Sequence, residues 1–110
     1  MAQKKLDPTI ARLVNAYLRV LTNVMPVDRM IVFGSYAKDK NRPWSDIDVA
    51  VVSRQLGHDP HAERVMLSTF VDSIDSRIEP HPFSPEDFVD PWDPLAAEIR
   101  RYGIDVAHTP

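Results

Sequence analysis

A chain of 110 residues, 44% hydrophobic and 26% charged, can bury a core without disulfide or metal staples and has the make-up of an ordinary globular domain. Its net charge of −3, with no basic tract, leaves no direct footprint for nucleic acid, and the absence of cysteine excludes a disulfide framework, a thiolate metal site and a thiol nucleophile. Met1–Lys5 leads into an amphipathic segment rather than an apolar signal core, and no run reaches membrane-spanning length. A cytoplasmic location, no membrane association and one domain spanning 1–110 are therefore expected.

The prolines give the chain its punctuation. Asp7-Pro8, Asp59-Pro60, Ser84-Pro85 and Asp93-Pro94 each pair a side-chain oxygen acceptor with a proline, which is the pattern of an N-cap followed by the first helical position. After the first pair, Ile10, Leu13, Val14, Tyr17, Leu18 and Leu21 form one apolar stripe, predicting a helix from about Pro8 to Asn23. Arg29 to Phe33 reads as a buried strand ended by Gly34-Ser35, with one or two helical turns over Tyr36 to Lys40. Residues 41–45 read as a loop and Asp46 to Ser53 as the second strand. A helix over Pro60 to Ser73 is expected to bury Met66, Leu67, Phe70, Val71 and Ile74.

Arg77 to His81 predicts a short third strand, with Pro80 favouring a sheet edge. Ser84 and Asp93 open two more helices, the second reaching Tyr102, where Gly103 takes the position of a left-handed C-terminal cap. Ile104 to Val106 can add a last small strand. The result is a mixed α/β (α+β) domain, a small mixed sheet with helices packed on it. Trp44 and Trp92, in proline-rich loops, are expected to cover the core.

The chemistry centres on Ile31-Val32-Phe33-Gly34-Ser35 and, after ten intervening residues, Asp46-Ile47-Asp48-Val49. Alternate residues of a strand share a face, so Asp46 and Asp48 project together, opposite Ile47, Val49 and Val51. Two like charges there lose hydration and repel, which folding alone does not explain. A divalent cation does, since Mg²⁺ prefers one or two carboxylates plus substrate phosphates. Gly34 lets backbone approach a bound group, and Ser35, at the start of a helical turn, can offer N–H and hydroxyl groups to phosphate. Glu79 is the candidate third carboxylate, with Asp75 its nearest rival. Lys38, Arg42 and Ser45 are candidate nucleotide contacts, although the first two equally suit solvated loop charges and Ser45 a cap. The four histidines share no spacing, so a histidine metal site is not expected.

Gly34-Ser35, ten residues, then Asp46-x-Asp48 leading into an apolar strand resembles the signature of the polymerase β-like nucleotidyltransferase superfamily, and the short, helix-first chain resembles its minimal nucleotidyltransferase (MNT) branch. The resemblance implies that fold, ATP as substrate, a two-ion Mg²⁺ site on Asp46, Asp48 and Glu79, and transfer of AMP to a hydroxyl. It further implies a HEPN-type helical partner whose tyrosine is the acceptor, the chain being the antitoxin. A binding-only antitoxin and a stand-alone transferase acting on a small-molecule hydroxyl such as an aminoglycoside are the alternatives. Three departures stand out: Lys38 and Asp39 occupy positions where many members carry arginine and glycine, and the third acid, Glu79, is glutamate rather than aspartate. Only 31 residues follow Glu79, so the acceptor is expected to be gripped by another protein or by a second copy in a homo-oligomer.

Overall fold

All four acceptor–proline pairs open helices in the computed structural model, which describes residues 6–108. Asp7, Asp59, Ser84 and Asp93 each accept a hydrogen bond from first-turn backbone N–H groups. The helices are Pro8–Thr22 (α1), Pro60–Ser68 (α2), Pro85–Phe88 (α3) and Pro94–Tyr102 (α4), and the strands Arg29–Phe33 (β1), Ile47–Val52 (β2), Ile78–Phe83 (β3) and Ile104–His108 (β4). The strands make one mixed sheet in the order β3-β2-β1-β4, with β1 antiparallel to both neighbours and β2 parallel to β3. β3 holds Pro80 and Pro82 and forms an edge, where a missing backbone donor breaks no second ladder.

Period-two alternation sorts the strands into two covered faces. Met30, Val32, Ile47, Val49, Val51 and Ile78 pack against Ile10, Val14, Tyr17 and Leu21 of α1 and Leu67 of α2. Ile31, Phe33, Ala50, Val52 and Phe83 pack against Phe88 of α3 and Ala96 and Ile99 of α4. The second face carries the polar residues Asp48, Glu79 and His81 toward the start of β2 and β3, because each lies an even number of residues from Ala50 or Phe83.

Tyr17 ties the first face together. It is fully buried, and its hydroxyl donates to the Leu67 carbonyl at 2.9 Å. Burial pushes the phenol well above its ordinary value near 10, since the charged form would be desolvated. A folded-state value raised above the unfolded one contributes stability that is complete below about pH 10 and is lost as pH climbs beyond it. Tyr17→Phe is expected to cost about 1 kcal/mol at pH 8 by leaving the carbonyl short of a donor. Urea unfolding at pH 8 and pH 10.5 should show a smaller alkaline loss for the variant than for the wild type.

Several expectations change. The turns after β1 form a single 3-10 turn at Gly34–Tyr36. α2 stops at Ser68, because the Ser68 and Thr69 hydroxyls bond back to the carbonyls of Arg64 and Met66 and the chain tightens into successive turns. That rotation leaves Met66 exposed and keeps Leu67 and Val71 buried. Gly103 is not left-handed: its φ is −68°, and it is glycine because a Cβ would lie 2.4 Å from Ile31 Cγ2 and 2.5 Å from the Ile99 carbonyl. Trp44 and Trp92 cover nothing, being 74% and 88% exposed.

Candidate active site

Pairing of β2 with β3 begins at Ile47 opposite Ile78, so Asp48 stands beside Glu79 in parallel register and both side chains leave the same face. One oxygen from each carboxylate and a ring nitrogen of His81 lie within 4.8 Å of one another. His81 Nε2 is 3.3 Å from Asp48 Oδ1 and 3.9 Å from Glu79 Oε1. The imidazole packs edge-on against Phe33, with ring centroids 4.9 Å apart, which restricts its orientation. Arg64 reaches over from α2 to pair with Glu79, so the fold already sets one positive charge against this cluster.

Gly34 closes the site from β1. Phe33 pairs with Asp48, and the next residue turns with φ +75°, a conformation that disfavours side chains. A Cβ at residue 34 would lie only 2.4 Å from Asp48 Oδ2. The backbone entering the Gly34–Tyr36 turn therefore runs directly against the carboxylate, and no side chain caps that turn. Asp39, where glycine is frequent in the resembled family, has φ +56°. Aspartate tolerates this left-handed conformation, which accounts for the departure at that position.

The other expected residues do not gather here. Asp46 lies just before β2, exposed and outside the cluster. The turn before it is closed by the Ser45 N–H to the Arg42 carbonyl and by the Arg42 N–H to Ser45 Oγ at 2.8 Å. Ser45 is thus a cap within the loop. Arg42 stacks over exposed Trp44, and Lys38 pairs with Glu98 of α4 at 3.0 Å and sits over Tyr102. Asp75 is gripped by the Arg77 fork, which holds its carboxyl below the usual carboxylate range and occupies it. His81 joins the cluster although sequence reasoning did not place it there. Its signal was present: Glu79-x-His81 repeats the same-face spacing of Asp46-x-Asp48.

Two carboxylates and an imidazole at these separations form a donor set suited to a divalent cation. An ion with bonds of about 2.1 Å sets adjacent ligands about 3 Å apart and opposed ligands about 4.2 Å apart, close to the spacings found here.

A family pattern described as "Nucleotidyltransferase domain" matches residues 16–83, more than half the chain and all of β1, β2 and β3. Two solved structures resemble the fold. One is a toxin–antitoxin crystallised with AMP-PNP, at a TM-score of 0.64 and 20% identity over 90% of this chain and 73% of that one. The other is a protein from Sulfolobus solfataricus provisionally named a nucleotidyltransferase, at a TM-score of 0.63 and 17% identity over 88% and 78%. No curated protein matches significantly. At such identities the two structures speak for the fold, and it is the expected one.

Proposed function

We propose that this chain, which belongs to the nucleotidyltransferase domain family, transfers AMP from ATP to a hydroxyl acceptor, and that the acceptor is a tyrosine of a HEPN-type helical toxin encoded alongside it. The observation that carries this reading is the convergence of Asp48 and Glu79 on one sheet face with the Gly34 backbone packed against the Asp48 carboxylate. The toxin–antitoxin context, and AMP-PNP as an ATP analogue, are properties of a similar structure and support the extension to this chain. Residues 1–110 act, on this reading, as one minimal transferase unit in the cytoplasm. Among the described residues no helix is long and apolar enough to cross a membrane.

In the reaction the acceptor oxygen bonds to the α-phosphorus, the bond to the pyrophosphate oxygen breaks, and the hydroxyl proton is released. Asp48 and Glu79 would hold Mg²⁺, with Asp46 the further acid that a two-ion arrangement requires. The bound cation supplies charge neutralisation to the triphosphate and acidity to the acceptor hydroxyl. With no side chain at Gly34, the Asp48 carboxylate lies against the turn, and Ser35 would offer its N–H and hydroxyl to orient a phosphate oxygen. Lys38 lies on α4 through Glu98, so its contribution to the triphosphate depends on release of that ion pair.

A cleft of about 360 Å³ favours a second reading. Asp87 and Asp93 line it together with His61, Arg64 and His81, and the two carboxylates suit a cationic small molecule such as an aminoglycoside. Incubation with α-labelled ATP, Mg²⁺ and the co-encoded helical protein separates the possibilities. The expected result is label on that protein and a mass gain of one or more adenylyl groups. Label on an aminoglycoside without any protein partner would select the second reading. No label on either acceptor would sink the enzymatic claim and leave neutralisation by binding.

A further inference from the structure

We propose that His81 is a direct ligand of the metal held by Asp48 and Glu79, and that its nitrogen shifts the site from Mg²⁺ toward imidazole-accepting ions such as Mn²⁺. The proposal deepens the transferase reading and rests on its metal site.

Geometry supports the ligand role. His81 Nε2 shares a hydrogen bond with Asp48 Oδ1 at 3.3 Å and lies 3.9 Å from Glu79 Oε1, the oxygen paired with Arg64. A cation among them would replace the shared proton and the guanidinium, at separations near those of adjacent and opposed ligands of one ion. The backbone supplies the reason: Glu79 and His81 share one face of β3, and the parallel register sets them against Asp48 and Ala50 of β2. Opposite His81, therefore, β2 presents only a methyl group, and the imidazole has room to lean toward Asp48. Phe33 holds the ring by its edge, and the side chain is only 17% exposed. A partly enclosed and oriented imidazole beside two carboxylates is not the usual environment for Mg²⁺, which takes oxygen ligands and keeps much of its water. Imidazole nitrogen suits the first-row transition ions, with carboxylates accommodating Mn²⁺ equally well.

The experiment measures metal binding alone, with no nucleotide or acceptor. Pulsed EPR of Mn²⁺ bound to the wild-type chain is expected to show nitrogen-14 modulation from a coordinated imidazole. By calorimetry, His81→Ala is expected to lose tenfold or more in Mn²⁺ affinity and to keep its Mg²⁺ affinity within about threefold. A wild-type spectrum without nitrogen modulation overturns the proposal, whether or not the variant folds. So does an equal loss, or no loss, for both ions. Nitrogen modulation without label transfer in the assay above would sink the transferase reading and leave this one standing. Transfer without the modulation would do the reverse.

Discussion

Asp48→Asn is expected to lower nucleotidyl transfer by about 10³-fold or more while leaving the fold intact. Asparagine keeps the shape of the side chain but removes its charge, and Asp48 lies against three other parts of the site. Its carboxylate lies beside Glu79 in register, 3.3 Å from His81, and within 2.4 Å of where a Cβ on Gly34 would fall. A loss of that size corresponds to about 4 kcal/mol of transition-state stabilisation. Initial rates of label transfer from ATP, with circular dichroism as the folding control, measure it. Near-wild-type rates would remove Asp48 from the chemistry and with it the reading of the site. In the toxin context the same variant separates two modes of neutralisation. Loss of protection with binding retained points to catalysis, whereas retained protection points to occlusion.

Gly34→Ala carries the second large effect. The added methyl has two penalties of different kinds. Residue 34 has φ +75°, which costs an alanine roughly 1–2 kcal/mol of stability. Its Cβ would also meet Asp48 Oδ2 at 2.4 Å, and something must yield. The short aspartate side chain yields more readily than the β1–β2 ladder, so the carboxylate is expected to rotate out of position. Transfer should fall by about 10²-fold, a misplacement effect, alongside a modest shift in the urea midpoint. A variant that loses stability but keeps its rate would mean that the glycine serves only the turn.

Much of the framework was legible because it rests on local rules. Four N-caps with proline at the first helical position depend on only two residues each, and all four helices begin where those pairs stand. Pro80 pointed to a sheet edge because a residue without an N–H cannot serve a second ladder. The misses came where neighbours in space compete with neighbours in sequence. Gly103 looks like a cap from its position at the end of α4, yet it is Ile31 from β1 that forbids a side chain there. Asp75 and Glu79 are comparable acids in sequence. Arg77 takes one of them and leaves the other to Arg64 and the metal-type cluster.

The sequence by itself determined a mixed α/β domain, since helix caps and strand alternation are local and periodic, and its Gly-Ser turn and acid spacing carried the resemblance to the nucleotidyltransferase family to which the chain belongs. Only the tertiary structure decided which acids meet. The parallel register of β2 and β3 brings Glu79 and His81 beside Asp48, while Asp46, just before β2, lies outside the group. Strand alternation tells which face a side chain leaves. The hydrogen-bonded register between strands decides which side chain stands beside it, and that register is set by contacts far apart in the chain.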